Sequence, residues 1–250
     1  MIGRKLGKLA PVHVPGAIQL AAYLPPKRIA VPDTLDNYSC VQGWGMMLND
    51  RLGDCTTAAA AHAVQAWTAK NKHEVVISDD EVLKMYSAVS GYDPATGAND
   101  NGAVEADVLD YWTTTGFNGH KLDSYAVVET RSRYQMKLAM YLFGDAYTGI
   151  ALPLSAQEQK VWSLAHGPEA EFGSWGGHAV PVLGYDENTL TCITWGAPLK
   201  MTWAFQRKYM DEAYAPLSVD WVDEVSKMAP NGLLWDDLKA DLERQFRKRA

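Results

Sequence analysis

Cys55 stands in "NDRLGDCTTAAAAHAVQAW", Asn49 to Trp67, where a Gly-Asp turn gives way to a run of alanines. A thiol there begins a helix. The unpaired N–H groups and dipole of a helix N-terminus favour the thiolate, which is the nucleophilic form. A base must accompany it, usually a histidine distant in sequence and close in space. Of the six histidines, His178 in "SWGGHAVPVLGYD" is best placed, because it opens an apolar strand after two glycines that leave its ring accessible. His62, two helical turns past Cys55, reads as a packing or capping residue.

The elements that must position this pair can be read from periodicity. Cys55 to about Lys70 is helical, with alanines, Val64 and Trp67 on an apolar face. "SDDEVLKMYSAVSGY" is a second helix with Ser78 as N-cap and Glu81 three residues on. "AVEADVLDYWTTTG" is a third, stopping at Gly116, and "SRYQMKLAMYLFG" a fourth, ending at Gly144. "AYTGIALPL", "GHAVPVLGYD" and "TLTCITWG" are short, apolar and bounded by turn formers, so they read as strands. Residues 185–188 form the hairpin turn between the last two. Helices first and strands later predict an α+β protein of two lobes. Residues 1–45, rich in proline, read as an extended arm on the folded body. The domain is expected over 46–225, with a helical lobe to about 135 and a β lobe from 136. Residues 226–250 read as an amphipathic helix with Leu234, Leu238 and Leu242 in line.

Composition narrows the function classes. Of 250 residues, 47% are hydrophobic and 21% charged, an ordinary globular balance, and a net charge of −7 argues against a nucleic-acid binder. Three cysteines, Cys40, Cys55 and Cys192, cannot all pair and form no CxxC, so neither a disulfide framework nor a zinc cluster is expected. No signal peptide and no membrane span is expected, which points to the cytoplasm or a virion. No cofactor and no metal is expected. The acidic loop Asp93 to Gly102 fails as a twelve-residue calcium loop, because Gly97 and Val108 would take its two carboxylate positions. "GSWGG" lacks the lysine of a phosphate loop. Its glycines, Gly176 and Gly177, leave room for substrate backbone beside His178, and Trp175 walls the cleft or packs in the core.

Taken together, the Cys-then-His order and these segments resemble the papain-like cysteine peptidases over most of residues 42–205. Asn49, six residues before Cys55, stands where that family has a glutamine whose side chain helps form the oxyanion hole; Asn49 and the Cys55 N–H are the implied donors. "NDNGAVEADVLDYWTTTGF" resembles the family's Asn-Gly-Gly turn and following helix. "GDAYTGIALP", "GGHAVPVLGYD" and "ITWG" resemble its last strands, with Trp195 shielding the histidine. The 123 residues from Cys55 to His178 fall slightly below the roughly 130–150 of papain relatives. Two positions depart from the pattern: Thr56 follows the cysteine where the family has an aromatic residue, and Ile193 replaces the asparagine that orients the histidine. Isoleucine accepts no hydrogen bond. Either the site works as a dyad, or a neighbour such as Thr194 or a backbone carbonyl takes that role, or activity has decayed. Strand alternation points Thr194 away from the face of Ile193, which argues against simple substitution.

The wording of the motifs is similar to papain-like proteins carried by bacteria and phages. The resemblance implies a thiol hydrolase of an amide bond, in a peptide or in cell-wall peptide. CHAP-type amidases share the Cys-then-His order, but the helical insert from Asp79 to Gly116 favours the papain side. The alternative is a non-catalytic structural or binding component, of a phage particle for instance, meeting an assembly partner through its N-terminal arm or C-terminal helix.

Overall fold

The computed structural model describes residues 3–23, 29–223 and 226–232. Of the expected C-terminal helix, 226–232 are turn and coil, and 233–250 lie outside the described residues. After the arm come a short helical turn, α1 (Leu20–Tyr23), and a two-residue strand, β1 (Leu35–Asp36), before α2 (Cys55–Lys70). α3 (Asp79–Ser90) starts as its sequence demands: the Ser78 hydroxyl accepts from the Glu81 N–H, and Gly91 closes the helix in the left-handed region. α4 (Glu105–Thr114), β2 (Ser124–Val127) and α5 (Arg133–Phe143) follow. Ser132 caps α5, and Gly144 ends it at φ 90°. The chain then becomes mostly β: β3 (Ala146–Leu152), β4 (Val161–Trp162), β5 (Gly176–Tyr185), β6 (Thr189–Thr194) and β7 (Ala197–Thr202), then α6 (Trp203–Tyr209) and β8 (Met210–Leu217).

Among the described residues these strands form one sheet in the order β2-β8-β3-β5-β6-β7-β4, with β1 added to β5. All pairings are antiparallel except β4 with β7. The β5–β6 turn forms at the predicted place, where the Asp186 carboxylate accepts from the N–H groups of Asn188 and Thr189.

α2 differs from its expected amphipathic form. Every residue from Cys55 to Ala69 is buried, so the helix runs through the interior with no wet face. The alanine run explains this, since a helix of small side chains can be covered closely by the sheet, by α3 and α4, and by the 219–221 turn. Trp67 stacks on Trp112 of α4 at 5.6 Å within the shared core. The nucleophile candidate therefore starts a helix that the whole fold holds still. No described helix is long and apolar enough to cross a membrane.

Candidate active site

The loop before α2 is fixed by side chains from three segments. The Asn49 carboxamide donates to Leu52 O and to Asp54 Oδ1, both at 3.2 Å. The Asp100 carboxylate accepts from the Gly53 N–H at 2.8 Å and from the Tyr86 hydroxyl at 2.7 Å. Tyr86 in turn accepts from the Gly102 N–H at 3.1 Å. Asp100 and Tyr86 thus tie the Cys55 loop to the Asn101-Gly102 turn, a role that sequence reasoning missed. Their partners lie 14 to 47 residues away, and no local pattern announces them.

α2 meets β5 at the residue after His178. The Cys55 Sγ accepts from the N–H of Ala179, the residue after His178, at 3.4 Å. The His178 Nε2 lies 2.7 Å from the Thr194 Oγ1, and the Nδ1 has no hydrogen-bond partner among the described residues. Trp195 covers the imidazole face to face, with centroids 4.5 Å apart and planes 12° apart, and Trp162 meets its edge. Trp175 leans on Trp195 from outside at 5.6 Å.

Here the expectation about Thr194 needs correcting. Alternation does send Ile193 and Thr194 to opposite faces, but it is the threonine face that looks onto His178. Ile193 packs with Ala66 and Leu183 in a small separate cluster. The two-residue turn after Thr194 completes the arrangement. Thr194 pairs with Ala197, and both Trp195 (φ 45°) and Gly196 (φ 73°) adopt positive φ, the sign pattern of a type I′ hairpin. A tryptophan held there bears a strain of about 1–3 kcal/mol, which the stack on His178 opposes.

His62 is the packing residue it was read to be, with its Nε2 2.9 Å from Gly45 O and its ring edge-on to Trp44.

The N-terminal arm closes the site. The Lys5 N–H donates to Asn49 O, Ala103 N–H to Gly7 O, Leu9 N–H to Ala103 O, and Lys8 N–H to Gly177 O. The Trp195 indole donates to Lys5 O, and the Arg4 guanidinium lies over the Trp195 ring. The backbone for which Gly177 leaves room is therefore that of the arm; a Cβ at Gly177 would overlap the Lys8 carbonyl oxygen.

Burial under the arm sets the electrostatics. Cys55 and His178 are each 1% exposed. Desolvation pushes the Cys55 thiol up to about 12, against the N–H groups of Ala179 and Gly7, which favour the thiolate. The lowering expected from the helix N-terminus is overridden here. Desolvation also pulls His178 down to about 3, so thiol and imidazole are both neutral. Asp54, buried beside the thiol, is pushed up to about 8 by the same cause. Among the described residues no group of three or more His, Cys, Asp or Glu side chains could hold a metal ion.

No family model and no curated protein sequence matches the chain. Solved structures do. Xylellain, a cysteine protease from Xylella fastidiosa, superposes with a TM-score of 0.67 at 16% identity, over 86% of this chain and 98% of that one. ProCathepsin B S9 from Trypanosoma congolense gives 0.57 at 12% identity, over 86% and 87%. A cysteine protease from Carica candamarcensis, in complex with E-64, gives 0.53 at 13% identity, over 75% and 99%. This chain has the fold of the papain-like cysteine proteases.

Proposed function

We propose that the protein is a thiol hydrolase that cleaves an amide bond of a peptide substrate, with Cys55 as nucleophile and His178 as base. The observation that supports this reading is the hydrogen bond from Ala179 N–H to the Cys55 Sγ, made by the residue after a histidine whose Nε2 lies 2.7 Å from the Thr194 Oγ1. Nδ1 is then the nitrogen left to take the thiol proton. The sulfur attacks the carbonyl carbon, and the oxyanion is met by the Cys55 N–H, one of the orphan donors of the first helical turn. Asn49 is the second donor. Its amide hydrogens lie on Leu52 O and Asp54 Oδ1 in the closed form, so one of those bonds must exchange for the substrate oxygen. The imidazolium returns its proton to the leaving amine, and water then releases the acyl group from sulfur with imidazole again as base. Trp195 shields this exchange from solvent. The closed arm is the resting form, and turnover requires residues 3–9 to leave the cleft.

One observation favours a second reading, a non-catalytic binding component that keeps the fold. Beneath the arm thiol and imidazole are both neutral, which is the state of an inert buried cysteine.

Iodoacetamide labelling of Cys55 from pH 4 to 9 separates the two, with the arm-loosening variant Gly7→Ala and with His178→Ala. Labelling of Gly7→Ala at pH 5 to 6 that disappears with His178→Ala supports the hydrolase. A thiol that reacts only above about pH 8 in every variant supports the binding component.

A further inference from the structure

Lys8 occupies a pocket that is built more elaborately than an anchor for the arm requires. Its side chain is 1% exposed. The stem crosses β3 at Gly149, where any Cβ would overlap the Lys8 Cε. The ammonium ends 3.0 Å from Asp211 Oδ2 and 2.8 Å from Glu212 Oε1, both on β8, and donates to Leu9 O at 3.1 Å. Glu105, at the start of α4, is fully buried, and neither of its carboxylate oxygens has a hydrogen-bond partner among the described residues. Two carboxylates touch the ammonium, and Glu105 acts on it through space as a third acid, its own carboxyl held well above the usual range by burial. Burial disfavours the Lys8 charge, but Glu105, Glu212 and Asp211 outweigh it and hold its pKa above the ordinary value. A latch needs one carboxylate; a second buried acid with both oxygens unmet is a desolvation penalty that a latch has no use for. The neighbouring residue, Gly7, directs its N–H at the Cys55 thiol, so Lys8 enters its pocket one arm residue past the contact with the thiol.

We infer that the pocket filled by Lys8 is a specificity pocket that receives a lysine or arginine side chain of the peptide substrate once the arm has left. This rests on the hydrolase reading above. The carboxylates offer more acceptor sites than an ammonium has donors, and a guanidinium carries five donors in a planar fork. Arginine therefore suits the charge of the pocket as well as lysine does. Gly149 supplies the width for a long unbranched stem.

The test uses the full chain carrying Gly7→Ala, assayed on fluorogenic peptide amides scanned with Lys, Arg, Leu and Glu at each of the four residues before the cleaved bond. At one position Lys or Arg should exceed Leu in kcat/KM by about 10-fold or more. Adding Glu212→Leu should abolish that preference, and the milder Glu105→Gln should reduce it even if the leucine variant fails to fold. Cleavage without a basic preference at any position, or a preference that neither acid variant alters, would overturn the pocket assignment and leave the hydrolase standing. No cleavage of any peptide, with Cys55 labelling indifferent to His178→Ala, would overturn both.

Discussion

The His178 Nε2 and the Thr194 Oγ1 are 2.7 Å apart on adjacent strands, beneath a tryptophan ring lying flat on the same imidazole. With the hydroxyl accepting from Nε2–H, the Nδ1 lone pair meets no donor among the described residues and can take a proton. The hydroxyl of Thr194, one residue past Ile193, thus meets the ring.

Replacing Thr194 by valine keeps the shape and removes the acceptor. A buried ring N–H left unmet costs about 1–3 kcal/mol, so kcat/KM on a peptide substrate should fall by one to two orders of magnitude. Thr194→Ser should restore most of it. Equal activity in the valine and wild-type proteins would show that the hydroxyl does not orient the ring.

Trp195→Asn separates the turn from the stack. Asparagine tolerates positive φ better than tryptophan, so the melting temperature should hold or rise. Activity should drop about 10-fold or more, because the imidazole loses its cover from water. A parallel loss of stability and activity would mean that the ring acts only as core.

Asp54 makes stability depend on pH. Its folded pKa of about 8 lies above the ordinary 3.8 because the carboxyl is buried. Between these values the folded state holds a proton that the unfolded chain has released. Its contribution to stability is therefore fully present below about pH 4, falls as pH rises towards 8, and is flat beyond. Asp54→Asn keeps an acceptor for Asn49 and removes the titration. Its melting temperature should gain on the wild type from pH 5 to pH 9 by about 5–10 °C. A gap that stays constant with pH would contradict a buried, proton-holding Asp54.

At Gly7 the arm passes close against the Cys55 loop; a Cβ there would overlap the Gly53 carbonyl. Gly7→Ala should lift the arm and speed iodoacetamide labelling of Cys55 at pH 7 by about 10-fold or more, since the thiol is unreactive while desolvated. Unchanged labelling, checked by peptide mapping, would mean that the arm is not what covers the thiol.

Features that rest on local chemistry were legible in the sequence. The bounds of α2, the Ser78 cap and the glycine stop at Gly144 follow from neighbours within a few residues. The Cys55 and His178 segments carried their own turn and strand signals. What could not be read depends on distant partners. β8, "MDEAYAPL", holds two acids and a proline and looks unlike an inner strand. Its acids are tolerated because Lys8, some 200 residues earlier, meets them. The work of Thr194 was hidden for another reason: the register of β6 on β5 shifts between Val182 and Gly184, which sets the face of β6 that shares the side of His178, and alternation alone gives no sign of such a shift.

The arm is stitched to both walls of the cleft, to Ala103 on one side and Gly177 on the other. Because it belongs to the same molecule, its local concentration at the cleft is fixed by the tether and does not fall on dilution. Onset of activity should therefore be first order, with a lag indifferent to enzyme concentration. An incoming peptide that pairs with the same two carbonyl and amide rows replaces the displaced bonds one for one, so the exchange is governed by how fast the strand peels away.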